Sequence, residues 1–383
     1  MAAFTPSLRL IADDLTGALD AAAEFGPLTG PVLVSWGGVG RRARALAVDS
    51  ATREIDARRA ARKTRRLAAE IGLPKAEIAY FKVDSLLRGH AGHELAAILA
   101  GTDFDAIVIA PAFPFQKRQT VGGRQQMRNS HGWETTGEDI AATLSTFGHV
   151  VRISGPGTPV KTGISIFDAT TDNDLAAIVE SGLGFPGRML WCGSAGLARA
   201  LARQTTCVEP SLPELATPLL ALFGTDHPVT SAQIARVERY CLTVDGGGLA
   251  EADRLERALG GGPVVARFAV PAGSSRAAAA EYIRATLESL LPGLAPPGTL
   301  IAGGGETLRV VCDVLGAEAL LITGSLTPGV PRSRLVGGGW DGVEIISKSG
   351  AFGDPDFLTR LFDAVAIGVS GRFEGQNKRE MTA

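Results

Sequence analysis

The sequence predicts an α/β protein of two domains, each with a mostly parallel sheet flanked by helices. Short apolar segments of strand length alternate with segments whose apolar residues have helical spacing. The chain has 48 glycines among 383 residues, which suits the many tight turns of this fold class. A segment with three prolines in ten residues, 209–218, separates two stretches that both contain the alternating pattern.

Composition and charge argue against several classes of protein. The 38 Lys and Arg residues against 40 Asp and Glu leave a net charge of −2, which gives no electrostatic case for binding nucleic acid or an acidic membrane. Four cysteines without CxxC spacing form no zinc or redox motif and suit a reducing compartment. No leader-like segment and no apolar run of about 20 residues is evident. We therefore expect a cytoplasmic protein without nucleic-acid or membrane partners.

The first predicted strand, residues 8–12, ends in two adjacent carboxylates, Asp13 and Asp14, and a helical pattern follows. Ligands of open α/β sheets bind at the carboxyl ends of the strands, so both residues are candidates for catalysis. Asp20, further along the helix, is a candidate for substrate binding. The alternatives are that Asp14 or Thr16 is only a helix cap, and that Asp13 and Asp20 are ordinary solvated charges.

Polar side chains follow the next strands in the same way. Lys82, Asp84, Ser85 and Arg88 are candidates for substrate binding, because cations and carboxylates together suit a small, anionic, hydroxyl-rich molecule. A structural ion pair between Lys82 and Asp84, which share one side of a strand, is the alternative. The elements predicted here are strands at 31–35, 45–50, 78–85 and 106–110, with helices at 54–71 and 92–99.

The rest of the first half continues the α/β pattern around one polar segment. Residues 116–136 include Arg118 and are predicted to form a long loop or lid. Strands are predicted at 150–153, 164–168 and 189–192, the last entering a glycine turn and a helix. We place an N-terminal domain at 1–208, a linker at 209–218, a C-terminal domain at 219–372 and a disordered tail at 373–383.

Three glycine-rich turns follow strands of the second half. Each presents backbone N–H groups, and a helix N-terminus behind such a turn favours phosphate. A helix is expected at 231–240 after the first turn and another, ending at Leu315, after the second. Neither GxxxxGK[ST] nor a GxGxxG after the first strand is present. The candidate nucleotide-binding residues are Gly224, Thr225, Gly304, Gly305, Glu306, Thr307, Lys348, Gly350 and Gly353.

Six motifs occur in an order shared with a known family. The chain resembles the four-carbon acid sugar kinases from its first strand to its last helix. The resemblance implies a sugar-acid-binding N-terminal domain, a nucleotide-binding C-terminal domain and ATP-dependent phosphorylation of the 4-hydroxyl of D-threonate, D-erythronate or a 3-oxo-tetronate. The motifs are Ala12–Ala18, Lys82–Gly89, Ala110–Pro114, Gly193–Ala198, Gly303–Thr307 and Lys348–Gly353.

For such a kinase we expect in-line transfer of the γ-phosphoryl group of ATP, with Asp13 or Asp14 as general base. The sugar-acid carboxylate would lie near Lys82 and Arg88. Mg²⁺ would accompany ATP, held mainly by phosphates and water, so no protein metal ligand is assigned. The expected partners are a small sugar acid and a nucleotide, and the choice between a monomer and a homo-oligomer stays open.

Two alternatives remain at this point. One is another enzyme that uses the same acidic edge, such as a dehydrogenase or an aldolase-like protein, although no dinucleotide motif supports the former. The other is a non-catalytic sugar-acid-binding or regulatory protein. It draws on the turn Gly224–His227, which replaces the Gly-Ser-x-Ser of the family. Leu86 and the segment 116–120 also depart from the family pattern, which has Thr and a Gly-Arg-Thr-Thr run there.

Overall fold

The structure is a computed structural model and describes residues 5–38, 42–202, 215–350, 352–363 and 365. The chain divides into two compact units between Cys207 and Val208, with Ile322–Gly324 grouped with the first unit. Each unit contains a mostly parallel sheet with helices, so the predicted fold class is confirmed. Most of the predicted linker and all of the predicted tail lie outside the described residues, and the predicted domain limits stay predictions.

The first unit has an eight-stranded sheet in the order β2-β3-β1-β4-β11-β5-β10-β9, in which every neighbouring pair is parallel. The central strands β1, β3 and β5 are almost entirely buried, as expected where helices cover both faces of a parallel sheet, whereas the edge strand β9 is not. Its elements are β1 Leu8–Ala12, α1 Leu15–Thr29, β2 Val32–Trp36, β3 Ala45–Asp49, α2 Ala57–Glu70, β4 Ile78–Lys82, α3 Ala91–Leu99, β5 Ala106–Ala110, α4 Ile140–Thr146, β9 Val151–Ser154, β10 Gly163–Phe167, α5 Asp172–Leu183, β11 Met189–Gly193 and α6 Ala195–Leu201.

The segment predicted to be a loop or lid, 116–136, forms a small antiparallel sheet instead. Its strands are β6 Arg118–Val121, β7 Arg124–Asn129 and β8 Gly132–Thr135. The sequence gives no alternation of apolar residues here, because the buried positions of this sheet are the polar side chains of Thr120 and Gln125. Hydrogen bonds join this small sheet to the rest of the unit: the side chain of Gln125 donates to the carbonyl of Ser85, Thr120 pairs with Ala169 through the backbone, and the turn between β6 and β7 donates to Asp168.

The second unit has a sheet in the order β13-β14-β12-β15-β18-β17-β16. The pairs from β13 to β18 are parallel, whereas β17 and β18 are antiparallel. Its elements are β12 Leu219–Phe223, α7 Pro228–Arg236, β13 Cys241–Val244, α8 Leu249–Gly260, β14 Val264–Phe268, α9 Arg276–Leu290, β15 Thr299–Gly303, α10 Gly305–Val314, β16 Ala319–Thr327, β17 Val330–Val336 and β18 Glu344–Lys348.

Two helix boundaries differ from the prediction for local reasons. The helix expected at 54–71 begins at Ala57, because the carboxylate of Asp56 accepts the N–H of Arg59 and caps it. The helix expected at 231–240 begins at Pro228, since proline suits the first helical position, and it ends at Arg236. No helix in the described ranges is both long and apolar enough to cross a membrane.

Candidate active site

Three neighbouring strands of the first unit end at one edge of the sheet. β1 lies between β3 and β4, and Ala12 is in register with both Asp49 and Lys82. The residues that follow these strands therefore come together, as the sequence predicts. Asp13, Lys82 and Asp84 are buried and are therefore not ordinary solvated charges, and Ser85 is buried beside them.

Arg53, which follows β3, binds both predicted catalytic carboxylates. Its Nε and Nη2 donate to the two oxygens of Asp13 at 2.7 and 2.8 Å, and its Nη1 and Nη2 donate to those of Asp14 at 2.6 and 2.9 Å. The backbone N–H groups of Thr52 and Arg53 also donate to the carbonyl of Asp13. Burial would lower the pKa of Arg53, but the charges of Asp13 and Asp14 raise it. Arg53 thus compensates two adjacent negative charges.

The two carboxylates differ in their access to a ligand. Asp13 has 5% of its side chain exposed, and burial raises its pKa against the opposing charge of Arg53. Asp14 has 28% of its side chain exposed. Its Oδ1 also accepts the N–H of Gly17 at 2.8 Å, so Asp14 is the N-cap of α1. It also belongs to the acidic cluster around Arg53, which consists of Asp13, Asp14 and Asp84. Capping and ligand binding are therefore compatible roles for Asp14.

Asp84 pairs with arginines rather than with Lys82. Its carboxylate accepts Arg88 Nε at 3.0 Å and Nη2 at 2.7 Å, and Arg53 Nη2 lies 3.5 Å away. Burial would raise the pKa of Asp84, but the hydrogen bonds from Arg88 and the charge of Arg53 outweigh it and leave the pKa below its usual range. The fork of Arg88 is therefore already engaged by a carboxylate of the protein.

Asp20 and Lys82 lie near the acidic cluster, and their charges interact with each other. The Oδ1 atom of Asp20 is buried and accepts no hydrogen bond from the described part of the chain. Burial raises the pKa of Asp20 to about 7, against the attraction of Lys82. The ammonium of Lys82 donates to the carbonyl of Val83 at 2.9 Å and lies 3.2 Å from the place where a side chain on Gly17 would begin. A Cβ at position 17 would also lie 2.6 Å from Asp14 Oδ1, so a larger residue there would require both side chains to move.

Sequence analysis did not assign four residues of this region to the site. These are Arg53 itself, the buried Glu94, Arg118 at the start of β6, and Gln125 in β7. Glu94 accepts hydrogen bonds from Thr52 and Thr64, both at 2.6 Å, and burial raises its pKa to about 7 against these bonds. One feature of the sequence could have identified Arg53: it follows the end of a strand together with Thr52, as the predicted site residues do.

The three predicted glycine turns of the second unit also come together, because β12, β15 and β18 are neighbours. A Cβ on Gly224 would lie 2.3 Å from Thr307 Oγ1, and one on Gly350 would lie 2.8 Å from Thr225 Oγ1. Gly304 has φ +101°, which favours glycine, and its N–H donates to the carbonyl of Lys348 at 2.9 Å. Gly305 and Glu306 begin α10 behind this turn, and Gly353 packs against Gln233.

Lys348 is buried at the centre of these turns. Its ammonium donates to Thr230 Oγ1 at 2.8 Å and to the carbonyl of Ser349 at 3.1 Å. It has no ion pair with a carboxylate of the described residues, and burial lowers its pKa to about 8. A buried cation without a counter-charge, surrounded by glycine turns, suits a phosphate group.

The chain is similar to curated sugar-acid kinases over nearly its whole length. It is 29% identical to a D-threonate kinase of Cupriavidus necator and 27% identical to one of Bordetella bronchiseptica; each match covers 94% of this chain and 98% of the relative. It is 26% identical to a 3-oxo-tetronate kinase of Cupriavidus necator, over 72% of this chain and 75% of that protein.

Residues 8–149 match the sugar-binding N-terminal domain family, and residues 220–358 match the nucleotide-binding C-terminal domain family. With the two sites described above, these matches define the class, a sugar acid kinase with one domain of each kind. The chain belongs to the four-carbon acid sugar kinase family. The predicted family and the prediction of a kinase are confirmed, whereas the roles of the individual residues stay predictions.

Solved structures support the fold. A Salmonella typhimurium LT2 protein, 20% identical, superposes with a TM-score of 0.72 over 92% of this chain and 98% of its own. A Haemophilus influenzae protein, also 20% identical, superposes with a TM-score of 0.66 over 94% of this chain and 99% of its own. At this identity the likeness concerns the fold alone.

Proposed function

We propose that this chain is an ATP-dependent kinase that phosphorylates the 4-hydroxyl of a four-carbon sugar acid, with D-threonate, D-erythronate and 3-oxo-tetronate as candidate acceptors. The observation that carries the proposal is the carboxylate pair bound by Arg53 at the carboxyl edge of the sugar-binding domain. The names of the curated relatives, D-threonate kinase and 3-oxo-tetronate kinase, support acids of this size as acceptors. A cytoplasmic location stays a prediction from the sequence, and the choice between a monomer and a homo-oligomer stays open.

On the acceptor side, Asp14 is the proposed general base. A base must reach the proton that it accepts, and the carboxylate of Asp14 is more exposed than that of Asp13. Asp13 would position Arg53, whose charge compensates the two adjacent carboxylates. Lys82, Asp20, Asp84 and Ser85 would bind the acid and its hydroxyls.

On the donor side, Lys348 and the glycine turns would bind the phosphates of ATP. In phosphoryl transfer the protein contributes mainly positioning and neutralisation of charge, and the buried Lys348 can provide both. Among the described residues, no group of three or more His, Cys, Asp or Glu side chains could hold a metal ion. We therefore assign Mg²⁺ to phosphate oxygens and water, which is its usual mode of binding in kinases.

The turn Gly224–His227 is compatible with nucleotide binding despite its departure from the family pattern. Thr225 keeps a hydroxyl and accepts the N–H of His227 at 3.3 Å. The imidazole of His227 accepts the N–H of Val229 at 3.2 Å and so caps α7. The turn retains its local hydrogen bonds and leads directly into a helix.

The test is a coupled ADP-release assay with a panel of four-carbon acids, combined with mass analysis of the product. The proposal expects ADP release that depends on an acid and a product heavier by one phosphoryl group. Binding of an acid without turnover would instead support a sugar-acid sensor. ADP release without an acid would show an ATPase.

A further inference from the structure

Arg118 lies beside the acidic cluster and forms no ion pair with a carboxylate of the described residues. Arg118 begins β6, and one Nη atom donates to the hydroxyl of Ser85. Its Nε is buried and has no hydrogen-bond acceptor in the part of the chain that the structure describes. A buried donor without an acceptor is uncommon in folded proteins and calls for an explanation.

The neighbouring arginines differ in this respect. Arg53 is bound to Asp13 and Asp14, and Arg88 is bound to Asp84 through two hydrogen bonds. Asp84 and Asp20 are close enough to influence Arg118 electrostatically, yet neither forms an ion pair with it. Arg118 is therefore the guanidinium here whose planar fork is not occupied by a carboxylate of the described residues.

We propose that Arg118, rather than Arg88, binds the carboxylate of the sugar acid, with the hydroxyl of Ser85 beside it. The proposal rests on the proposed function and deepens it by assigning the residue that recognises the acid group. A guanidinium donates two parallel hydrogen bonds to a carboxylate, which a lysine cannot do. Arg88 then positions Asp84 and does not bind the ligand directly.

The position of Arg118 fits this assignment. Burial lowers its pKa, so an arriving carboxylate would relieve a cation that lacks a counter-charge. Gln125, in the neighbouring strand β7, donates to the carbonyl of Ser85 at 2.7 Å and so fixes the residue that Arg118 contacts. The small sheet β6–β8 would thereby distinguish acids from neutral sugars of the same length.

The experiment measures binding without nucleotide, so that a phosphate of ATP cannot act as the anion. The ligands are the acid with the highest turnover in the panel and its neutral primary amide, which keeps the hydroxyls and loses the charge. For Arg118→Met we expect the Kd and KM of the acid to rise about 10- to 100-fold, with a smaller change in kcat. The Kd of the amide should change little.

Two further variants make the result decisive. Arg118→Lys keeps one charge without the fork and should give an intermediate Kd, which also serves if Arg118→Met does not fold. Arg128→Met changes an exposed arginine of the same small sheet and should bind the acid like the wild type. An unchanged acid Kd in folded Arg118→Met, or equal losses for acid and amide, would overturn the proposal.

Failure of the proposed function can be distinguished from failure of the role of Arg118. If the wild type neither binds nor phosphorylates any acid of the panel, the kinase assignment and the role of Arg118 both fall. If the wild type phosphorylates an acid and Arg118→Met does so with an unaltered KM, only the role of Arg118 falls.

Discussion

Arg53 allows two adjacent aspartates to remain buried beside a ligand site. Without it, like charges and burial would drive one carboxyl group to keep its proton. Arg53 contacts both carboxylates through four hydrogen bonds and lies 3.5 Å from a third, that of Asp84. Without Asp13, the charges of Arg53 and the remaining carboxylates in this buried set would no longer be balanced. We therefore assign Asp13 a role in positioning Arg53 beside Asp14, the proposed base.

Asp20 should make the stability of the protein fall as the pH rises. An unfolded chain loses this proton near pH 4, whereas folded Asp20 keeps it until about pH 7. Between these values the folded state binds more protons, so the free energy of unfolding decreases with rising pH. Asp20→Asn should therefore stabilise the protein by about 2 kcal/mol more at pH 8 than at pH 5. Urea unfolding at both pH values measures this difference.

The same change should weaken sugar-acid binding, because Asp20 is a proposed ligand of the substrate. A substitution that raises stability and lowers activity is typical of positions that serve function. Asp174→Asn, at the half-buried N3 position of the capping box of α5, is a control for the substitution. An Asp20→Asn protein with the same pH dependence of unfolding as the wild type would contradict the raised pKa.

Lys348 should give nucleotide binding a pH dependence. Burial lowers its pKa to about 8, so the free protein loses this cation above that pH. The Kd for MgATP should then rise by up to about tenfold per pH unit above pH 8. Lys348→Met should bind ATP more weakly and with a flatter profile. Calorimetric titration from pH 7 to 9.5 measures both, and equal slopes in the two proteins would remove Lys348 from the site.

At the scale of elements, one buried amide joins the small sheet β6–β8 to two other segments of the first unit. Gln125 donates to the carbonyls of Ser85 and Pro111, at 2.7 and 3.2 Å, and accepts the hydroxyl of Thr120 at 2.8 Å. These bonds join three separate segments of the first unit. Hydrogen bonds of this kind matter most when their loss leaves buried polar groups without partners.

Gln125→Leu should therefore lower the free energy of unfolding by about 2 kcal/mol or more. It should also raise the KM for the acid, since Ser85 and Arg118 would lose their support. The matched control is Gln126→Leu, whose side chain only accepts a hydrogen bond from Gln119 in the neighbouring strand. Similar unfolding curves for both variants would show that the buried amide is not needed.

The elements also show what sequence reasoning could and could not supply. The parallel strands and the acids at their ends were predictable, because continuous apolar runs and strand ends are local features. The partners of those acids were not, since Arg53 lies 40 residues from Asp13 along the chain. The sheet β6–β8 was missed because hydrogen bonding rather than apolar burial defines it. The antiparallel pairing of β17 with β18 likewise departs from the parallel pairs that join β13 to β18.

At the scale of the whole chain, the acceptor and donor sites belong to different units. Asp14→Asn should lower kcat about 10²- to 10⁴-fold and leave the Kd for ATP unchanged, because no residue of the proposed nucleotide site is altered. Lys348→Met should weaken ATP binding and leave the Kd for the acid unchanged. The coupled assay measures kcat, and calorimetry with each ligand alone measures the three dissociation constants.

Two controls accompany this comparison. Asp56→Asn makes the same substitution at the N-cap of α2 without touching the acidic cluster, so it controls for any effect of the change on helix capping. Arg267→Met removes a half-exposed cation of the second unit. Full turnover in Asp14→Asn would exclude this carboxylate as the base, and loss of ATP binding in the same variant would show that the two sites are not independent.

The peptide carbonyl of Asp13 accepts N–H groups from Thr52 and Arg53, at 3.0 and 3.3 Å, so the turn after β1 and the loop after β3 are built as a pair. Anyone who transplants loops between relatives to alter acceptor choice should exchange these two together. A graft of either alone, or an insertion before Arg53, would displace the guanidinium from both aspartates. The protein would then lose turnover before its ligand preference could change.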